Sequence, residues 1–242
     1  MSFTFKNHLG TVGESGGGAT IKNQDITVTK NGTYTASTGY TGLGTVNVSL
    51  PIYYTNYIIY GSPTINTQTG IAEDFSTSNY LQISKEFPAL PSIFDLEFCF
   101  TTANDVTTTQ FIFCNYGFSG LVFGLDSGKL LCYASSDNTT WDILDGQTGT
   151  TNLSANTKYW VKLVFDGSNY KCYLSTTGVF NGEETTEFSV TNTGKITANT
   201  KSYIGCQVIQ HGNFLPFLGS IDLSNCYIKV NNINVWSAGM IF

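Results

Sequence analysis

From Tyr53 onward, apolar and polar residues alternate along the chain in short runs. Clusters of Gly, Asn, Asp and Ser, which favour turns, separate these runs. Successive side chains of a β-strand point to opposite faces, so this alternation is typical of strands with one buried face. No run has the spacing of an amphipathic helix. The pattern therefore predicts an all-β fold in which two antiparallel sheets pack into a sandwich.

The clearest strand pair covers residues 158–174 and turns at residues 166–169. If Phe165 stands opposite Tyr170, one face of the pair is apolar throughout. We expect this face in the core, with the residues Val161, Leu163, Phe165, Tyr170, Cys172 and Leu174. The other face mixes aromatic, aliphatic and polar side chains and should point outward, with Trp160, Lys162, Val164, Lys171, Tyr173 and Ser175.

A second strand pair closes the chain, and its hairpin turns on Asn231-Asn232. Apolar residues alternate with polar ones on both sides of this turn. The same alternation in the other runs predicts the core of the sandwich. That core should include Leu96, Phe98, Phe100, Val161, Leu163, Phe165, Ile221 and Leu223.

Three regions follow from these patterns. Residues 1–19 end in a glycine-rich stretch and are predicted to form a flexible tail and linker. Residues 20–52 are predicted to form a small β module, with a hairpin at Asn31-Gly32 and a further strand at residues 45–50. So few strands are marginal as an independent fold. We therefore expect residues 1–52 to attach the sandwich, at residues 53–242, to another protein or to another copy of the chain.

Composition excludes several classes of function. Charged residues make up 12% of the 242 residues, the formal net charge is -6, and no arginine occurs. A basic surface is therefore missing, and we expect no nucleic-acid partner. The first residues lack the apolar stretch of a signal peptide, and no apolar window is long enough for a membrane span, so we expect no signal peptide, synthesis in a cytoplasm and no membrane partner. The six cysteines lie in apolar runs, which favours buried free thiols over a disulfide framework.

Several segments, in this order, resemble the laminin G-like, concanavalin A-like jelly roll. They are residues 75–83, 94–100, 117–130, 158–174, 203–205 and the closing run 217–236. The resemblance covers roughly residues 55–240. It implies a two-sheet antiparallel jelly-roll sandwich, a fold that mostly serves recognition.

The module at residues 20–52 resembles a short β element of phage virion and prophage proteins that precedes a receptor-facing domain. The resemblance rests on ITVTKNGTYT, the glycine loop after it, and TVNVSLP. It implies a structural protein of the virion surface, a fibre or decoration subunit, synthesised in the host cytoplasm. Residues 1–52 would then contact other virion proteins, and the chain would form a homo-oligomer.

Little in the sequence favours catalysis. Glycosidases of the jelly-roll fold resemble one another in a strand with Glu-x-Asp-x-x-Glu, whereas the run that holds Asp95 and Glu97 continues through Phe98 to Phe100 without a second glutamate. We interpret this pair as the solvated edge of a half-buried strand, with catalysis as the alternative. No Gly-x-Ser-x-Gly motif occurs, and His211 is the only histidine beyond the N-terminal region. We therefore expect no enzymatic activity.

Aromatic residues beside polar ones favour carbohydrate binding, because sugars stack C–H patches on rings while their hydroxyls form hydrogen bonds. The stretch 135–141 is similar to the Asp box of sialidases, without its glycine, and places Trp141 near a predicted hairpin tip. The alternatives are a loop that only turns and a sheet face covered by another layer. The predicted carbohydrate-binding residues are Trp141, Tyr116, Trp160, Tyr173, Asp137, His211 and Asn213.

We predict no metal site and no cofactor. Asp126, Asp105 and Asn104 are the type of ligand that calcium takes at the rim of related sandwiches, but no loop has the dense spacing of a calcium site. The leading hypothesis is a non-enzymatic phage virion protein that binds host-surface carbohydrate. The alternatives are a purely structural particle-assembly protein and, third, a glycoside hydrolase of the same fold.

Overall fold

The computed structural model divides the chain into two compact units, Met1–Ile52 and Tyr53–Phe242. The residues that it describes are 3–7, 24–28, 34–36, 57–66, 69–83, 93–115, 120–137, 139–196, 202–208 and 214–237. No helix in these ranges is long and apolar enough to cross a membrane.

The first unit contains an antiparallel sheet of three strands, β1 (Phe3–Asn7), β2 (Gln24–Val28) and β3 (Tyr34–Ala36), in the order β1-β2-β3. The pairing of Val28 with Tyr34 confirms the hairpin expected around Asn31-Gly32. Strand β1 lies within the segment predicted as a tail, and it pairs with β2 along its whole length. The alternation of Phe-Thr-Phe-Lys in this segment is typical of a strand. The prediction of a tail rested instead on the glycine-rich stretch that follows it. The strand predicted at residues 45–50 lies outside the described residues.

The second unit is an antiparallel β-sandwich of the jelly-roll type, which confirms the predicted fold class. One sheet has seven strands: β4 (Tyr57–Tyr60), β7 (Tyr80–Ile83), β9 (Gln110–Asn115), β10 (Leu121–Asp126), β11 (Lys129–Ala134), β12 (Leu144–Thr148) and β16 (Ser202–Ile204). Their order across the sheet is β12-β11-β10-β9-β16-β7-β4.

The other sheet has nine strands: β5 (Thr64–Ile65), β6 (Ile71–Glu73), β8 (Phe94–Thr101), β13 (Lys158–Phe165), β14 (Asn169–Ser175), β15 (Thr185–Thr191), β19 (Ser220–Asp222), β20 (Tyr227–Val230) and β21 (Ile233–Ser237). Their order is β15-β14-β13-β8-β19-β6-β5, while β20 also pairs with β8 and β21 pairs with β20. A 3-10 turn, Leu223–Asn225, follows β19, and a separate two-stranded ribbon joins β17 (Cys206–Val208) to β18 (Phe214–Pro216).

Two hairpins of the sandwich turn on residues in the left-handed backbone region. Asn231 and Asn232, with φ of 51° and 63°, connect β20 to β21. Ser127 and Gly128, with φ of 49° and 76°, connect β10 to β11. Two positive φ values in a row are those of a type I′ turn, whose twist matches that of the paired strands. The predicted closing hairpin is therefore confirmed.

Strand β8 is the central strand of the nine-stranded sheet. It pairs with β13 on one side and with β19 and β20 on the other. Asp95 and Glu97 point outward, as predicted, but the predicted solvated edge is wrong, because strands on both sides leave these side chains only partly exposed. The inward residues of β8 lie in the core between the sheets. All predicted core residues are buried, namely Leu96, Phe98, Phe100, Val161, Leu163, Phe165, Ile221 and Leu223.

The two faces of β13 provide a matched test of this core. Leu163 is 3% exposed, so Leu163→Ala should lower the free energy of unfolding by about 2 to 5 kcal/mol. Val164 is the next residue and points outward, so Val164→Ala should cost less than about 1 kcal/mol. Urea denaturation of both variants measures the difference. Equal losses would contradict the assignment of the two faces.

Candidate functional site

Four side chains form a row across the outward face of the nine-stranded sheet. Tyr173 on β14 pairs with Lys162 on β13, Lys162 also pairs with Glu97 on β8, and Glu97 pairs with Tyr227 on β20. Adjacent strands are about 4.8 Å apart, so the two tyrosines at the ends of the row stand about 14 Å apart along the sheet. We call these four residues the Glu97 row.

A hydrogen bond joins two members of the row. The hydroxyl of Tyr227 donates to Glu97 Oε2 over 2.6 Å. Burial raises the pKa of Glu97, although this hydrogen bond and the ammonium of Lys162 oppose the shift. Burial, together with the hydrogen bond to Glu97, also holds the pKa of Tyr227 well above its usual range. The row therefore presents a partly buried carboxyl that a neutral tyrosine hydroxyl holds in place.

Asp95 lies beside the row on the same face. Its Oδ2 forms an ion pair with Lys162 Nζ at 3.1 Å, and the side chains of Lys162 and Asp95 are only 24% and 22% exposed. The other oxygen, Asp95 Oδ1, is buried and accepts no hydrogen bond from the described chain. An unmatched buried acceptor costs about 1 to 3 kcal/mol, so a donor placed here would be stabilising.

Trp160 also lies on this face, opposite Cys99 and Ser175. The backbone of Gly178 packs so closely on the indole that a Cβ at this position would come within 2.9 Å of the ring. The ammonium of Lys158 lies 4.9 Å from the ring centroid. Because Gly178 and Lys158 cover part of the indole, Trp160 offers less surface for stacking on a sugar than its sequence position suggested.

Four lysines of the described residues lie on this face. Three of them form ion pairs: Lys158 with Asp222 at 2.8 Å, Lys162 with Asp95 at 3.1 Å, and Lys171 with Asp166 at 2.7 Å. The fourth, Lys229, places Nζ 4.3 Å from the centroid of the Tyr227 ring. Positive and negative groups therefore nearly balance, and the face offers many hydrogen-bonding groups with little net charge.

Trp141 lies on the opposite side of the sandwich. Its ring packs on Tyr133, with 5.1 Å between the ring centroids. Both rings cover a small apolar cluster on the outward face of the seven-stranded sheet, formed by Phe111, Cys114, Val122 and Leu131. Trp141 is therefore half-buried, where the sequence suggested an exposed hairpin tip, because its loop folds back to shield this cluster from water.

The carboxylate of Asp137 is used within its own turn. It accepts the backbone N–H groups of Thr140 and Thr139, each at 2.8 Å, and the hydroxyl of Ser135 at 3.1 Å. These backbone hydrogen bonds hold the pKa of Asp137 well below its usual range. Through these contacts, the Asp137 side chain stabilises its own turn.

The predicted carbohydrate-binding residues do not converge on one surface. Trp160 and Tyr173 share the face of the nine-stranded sheet, whereas Trp141 and Asp137 belong to the other side. Tyr116, His211 and Asn213 lie outside the described residues. Sequence analysis missed Tyr227, which meets Glu97 across 130 positions of the chain. The alternation of Tyr227 and Lys229 around Ile228 is the signal that could have placed it on this face.

Within the described ranges, no group of three or more His, Cys, Asp or Glu side chains could hold a metal ion. The candidate calcium ligands serve local turns, since Asp105 Oδ1 accepts the N–H of Thr107 at 2.8 Å and Asp126 accepts the hydroxyl of Thr109. All six cysteines are buried free thiols. Burial raises the pKa of Cys99 to about 12, which makes it a poor nucleophile.

No protein-family model and no curated protein matches the chain. Several solved structures share its fold. The receptor-binding domain of a botulinum neurotoxin C/D mosaic serotype has a TM-score of 0.53 and 12% identity, over 76% of this chain and 44% of that one. The binding domain of botulinum neurotoxin serotype G has a TM-score of 0.52 and 12% identity, over 75% of this chain and 44% of that one.

A third structure concerns botulinum neurotoxin type C, whose cell entry depends on interaction with two ganglioside molecules. Its TM-score is 0.50, with 10% identity over 76% of this chain and 44% of that one. The chain thus spans less than half the length of these neighbours. At such identities, the likeness establishes the β-sandwich fold alone.

The shifted pKa of Glu97 predicts a dependence of stability on pH. Because burial raises this pKa, the contribution of Glu97 to stability is fully present below its unfolded-state pKa and is lost as pH rises through the folded-state pKa. Between about pH 4 and pH 8, the melting temperature of the native chain should therefore fall relative to that of Glu97→Gln. Tyr227→Phe removes an opposing hydrogen bond and should move this loss to higher pH. A difference between native chain and Glu97→Gln that does not vary with pH would refute the buried position of Glu97.

Proposed function

We propose that the sandwich binds carbohydrate on the outward face of its nine-stranded sheet and catalyses no reaction. The Glu97 row is the observation that carries this proposal. It combines a partly buried carboxyl and an ammonium with a tyrosine ring at each end. Sugars need this combination, because their C–H patches stack on rings while their hydroxyls exchange hydrogen bonds with charged groups.

Individual contacts follow from the surroundings of each group. Tyr173 is partly exposed and contacts no other ring among the described residues, so we expect its ring to stack on a sugar. Asp95 Oδ1 lacks a donor, and a sugar hydroxyl would supply one. Lys162, between Asp95 and Glu97, would donate to a second hydroxyl. The balanced charge of the face suits a neutral sugar better than a strongly anionic one.

The structural neighbours support a binding role. Two of them are binding domains of botulinum neurotoxins, and the third concerns a botulinum neurotoxin whose cell entry depends on two ganglioside molecules. Because the chain spans less than half of their length, the shared fold does not indicate where on this sandwich a ligand would bind. The position of the site rests on the Glu97 row alone.

We further infer that the protein is a fibre or decoration subunit on the surface of a phage virion, where it binds host-surface carbohydrate. The resemblance of residues 20–52 to β modules of virion proteins supports this role. Residues 1–52 would attach the subunit to other virion proteins. A site built from a few stacking contacts and hydrogen bonds binds weakly, so many copies on one particle would supply the avidity for attachment.

A glycoside hydrolase is the second candidate function. The raised pKa of Glu97 beside the ion-paired Asp95 favours it, since hydrolases use one carboxyl as an acid and another as a nucleophile or base. The strand supplies no further glutamate, and this argues for binding without hydrolysis. Release of reducing ends from a bound polysaccharide, abolished by Glu97→Gln, would establish hydrolysis instead.

Two substitutions on opposite sides of the sandwich test the proposed site. A glycan array on the full chain identifies a ligand, and calorimetry then measures its affinity. Tyr173→Ala should weaken binding about five- to tenfold, since a stacking contact contributes about 1 kcal/mol. Tyr173→Phe keeps the ring and should retain most of the affinity.

Trp141→Ala is the control, because it lies on the far side from the Glu97 row and should leave the affinity unchanged. Loss of binding in Trp141→Ala but not in Tyr173→Ala would move the site to the seven-stranded sheet. If the native chain binds no host polysaccharide at millimolar concentrations, the purely structural role in particle assembly replaces carbohydrate recognition.

A further inference from the structure

The loop between β14 and β15, residues 176–184, lies over the outward face of the nine-stranded sheet. It connects the two outermost strands on this side of the sheet, yet it reaches side chains of the third strand, β13. Gly178 packs on the indole of Trp160. The ring centroid of Phe180 lies 5.5 Å from Lys162 Nζ. The loop therefore folds inward, from the edge of the sheet toward the Glu97 row.

Hydrogen bonds hold both ends of this loop. Ser175 Oγ accepts the backbone N–H of Gly178 at 3.1 Å. At the other end, Glu184 Oε2 accepts the backbone N–H of Gly182 at 2.7 Å. Gly182 has a φ of 102°, a conformation that glycine adopts without steric cost. Phe180 stands between these two turns, so its position is restricted before any ligand binds, and this lowers the entropic cost of binding.

Lys162 is the member of the Glu97 row that this loop contacts. Its ammonium lies between the ring of Phe180 and the carboxylate of Asp95, which is 3.1 Å away. Both neighbours attract a cation, so together they orient the Lys162 side chain. Tyr173 stands opposite Lys162 on β14, and the side chains of Tyr173 and Phe180 are both partly exposed. A sugar that accepts a hydrogen bond from Lys162 would therefore have aromatic rings beside it on the β14 side.

We propose that the β14–β15 loop closes the carbohydrate site on the side of β14, and that Phe180 stacks with Tyr173 on the free terminal sugar of a surface-attached glycan. This role of Phe180 rests on the proposed carbohydrate site, since it concerns the same face. From Lys162 the row continues to Glu97 and Tyr227, which are partly exposed. The rest of the glycan would leave in that direction. A glycan bound through an interior sugar would also have to continue across β14, where the loop lies.

Substitutions in the loop test the contribution of the ring. Phe180→Leu keeps an apolar side chain but removes the stacking surface, so the affinity of the full chain for a neutral glycan should fall about fivefold. Phe180→Tyr keeps the ring and should bind as the native chain does. Val179→Ala is the matched control, because Val179 is the preceding residue of the same loop and is 44% exposed. Calorimetry measures these affinities with the neutral glycan that the native chain binds best on an array.

Tryptophan fluorescence distinguishes a lost contact from a displaced loop. Because Gly178 packs on Trp160, the emission spectrum of unliganded Phe180→Leu should match that of the native chain while the loop keeps its position. Weaker binding with an unchanged spectrum would support stacking by Phe180. Weaker binding with a shifted spectrum would contradict it, since the loop itself would have moved.

An array of neutral glycans tests the preference for a chain end. Each sequence is printed twice, once with its terminal sugar free and once with a further sugar attached to it. The native chain should bind the first form and lose most of its binding to the second. Equal binding to both forms, or equal affinities of Phe180→Leu and Val179→Ala, would overturn the role of the loop and leave carbohydrate binding intact. If the native chain binds no printed glycan, the proposed function fails as well.

Discussion

Strand β8 lies between β13 and the strands β19 and β20, and both the core and the candidate site depend on its alternation. Its inward residues Leu96, Phe98 and Phe100 pack between the sheets. Its outward residues Asp95 and Glu97 stand in the middle of the opposite face. A shift of one residue in the register of β8 would place carboxylates in the core and phenylalanines in water. The apolar packing of β8 therefore also determines where the polar groups of the site lie.

Carboxyl groups on a central strand are costly, because neighbouring strands remove part of their hydration. Two contacts offset this cost, the ion pair from Lys162 to Asp95 and the hydrogen bond from Tyr227 to Glu97. They leave Asp95 Oδ1 without a donor and the pKa of Glu97 raised. Such groups lower the stability of the free protein, and a ligand could supply the partners that they lack. Groups of this kind are typical of binding surfaces.

The two outward faces of the sandwich differ in character. On the seven-stranded sheet, apolar side chains continue outward, and Tyr133 and Trp141 cover them. On the nine-stranded sheet, lysines, carboxylates and tyrosines remain partly open to water. The same residue type therefore has different roles on the two sides. Trp141 shields an apolar cluster, whereas Tyr173 has no ring beside it in the part of the chain that the structure describes.

Local features of the sequence determined the strands, the hairpins and the inward faces. The alternation of Val161, Leu163 and Phe165 predicted their burial, and Asn231-Asn232 predicted the closing turn, because pleat and turn preferences act over a few residues. Tertiary structure alone decided that β8 is central, that Tyr227 meets Glu97, and that Trp141 folds back on the sheet. These contacts join residues far apart in sequence, and the order of the strands follows from the packing of the whole core, which no local pattern encodes.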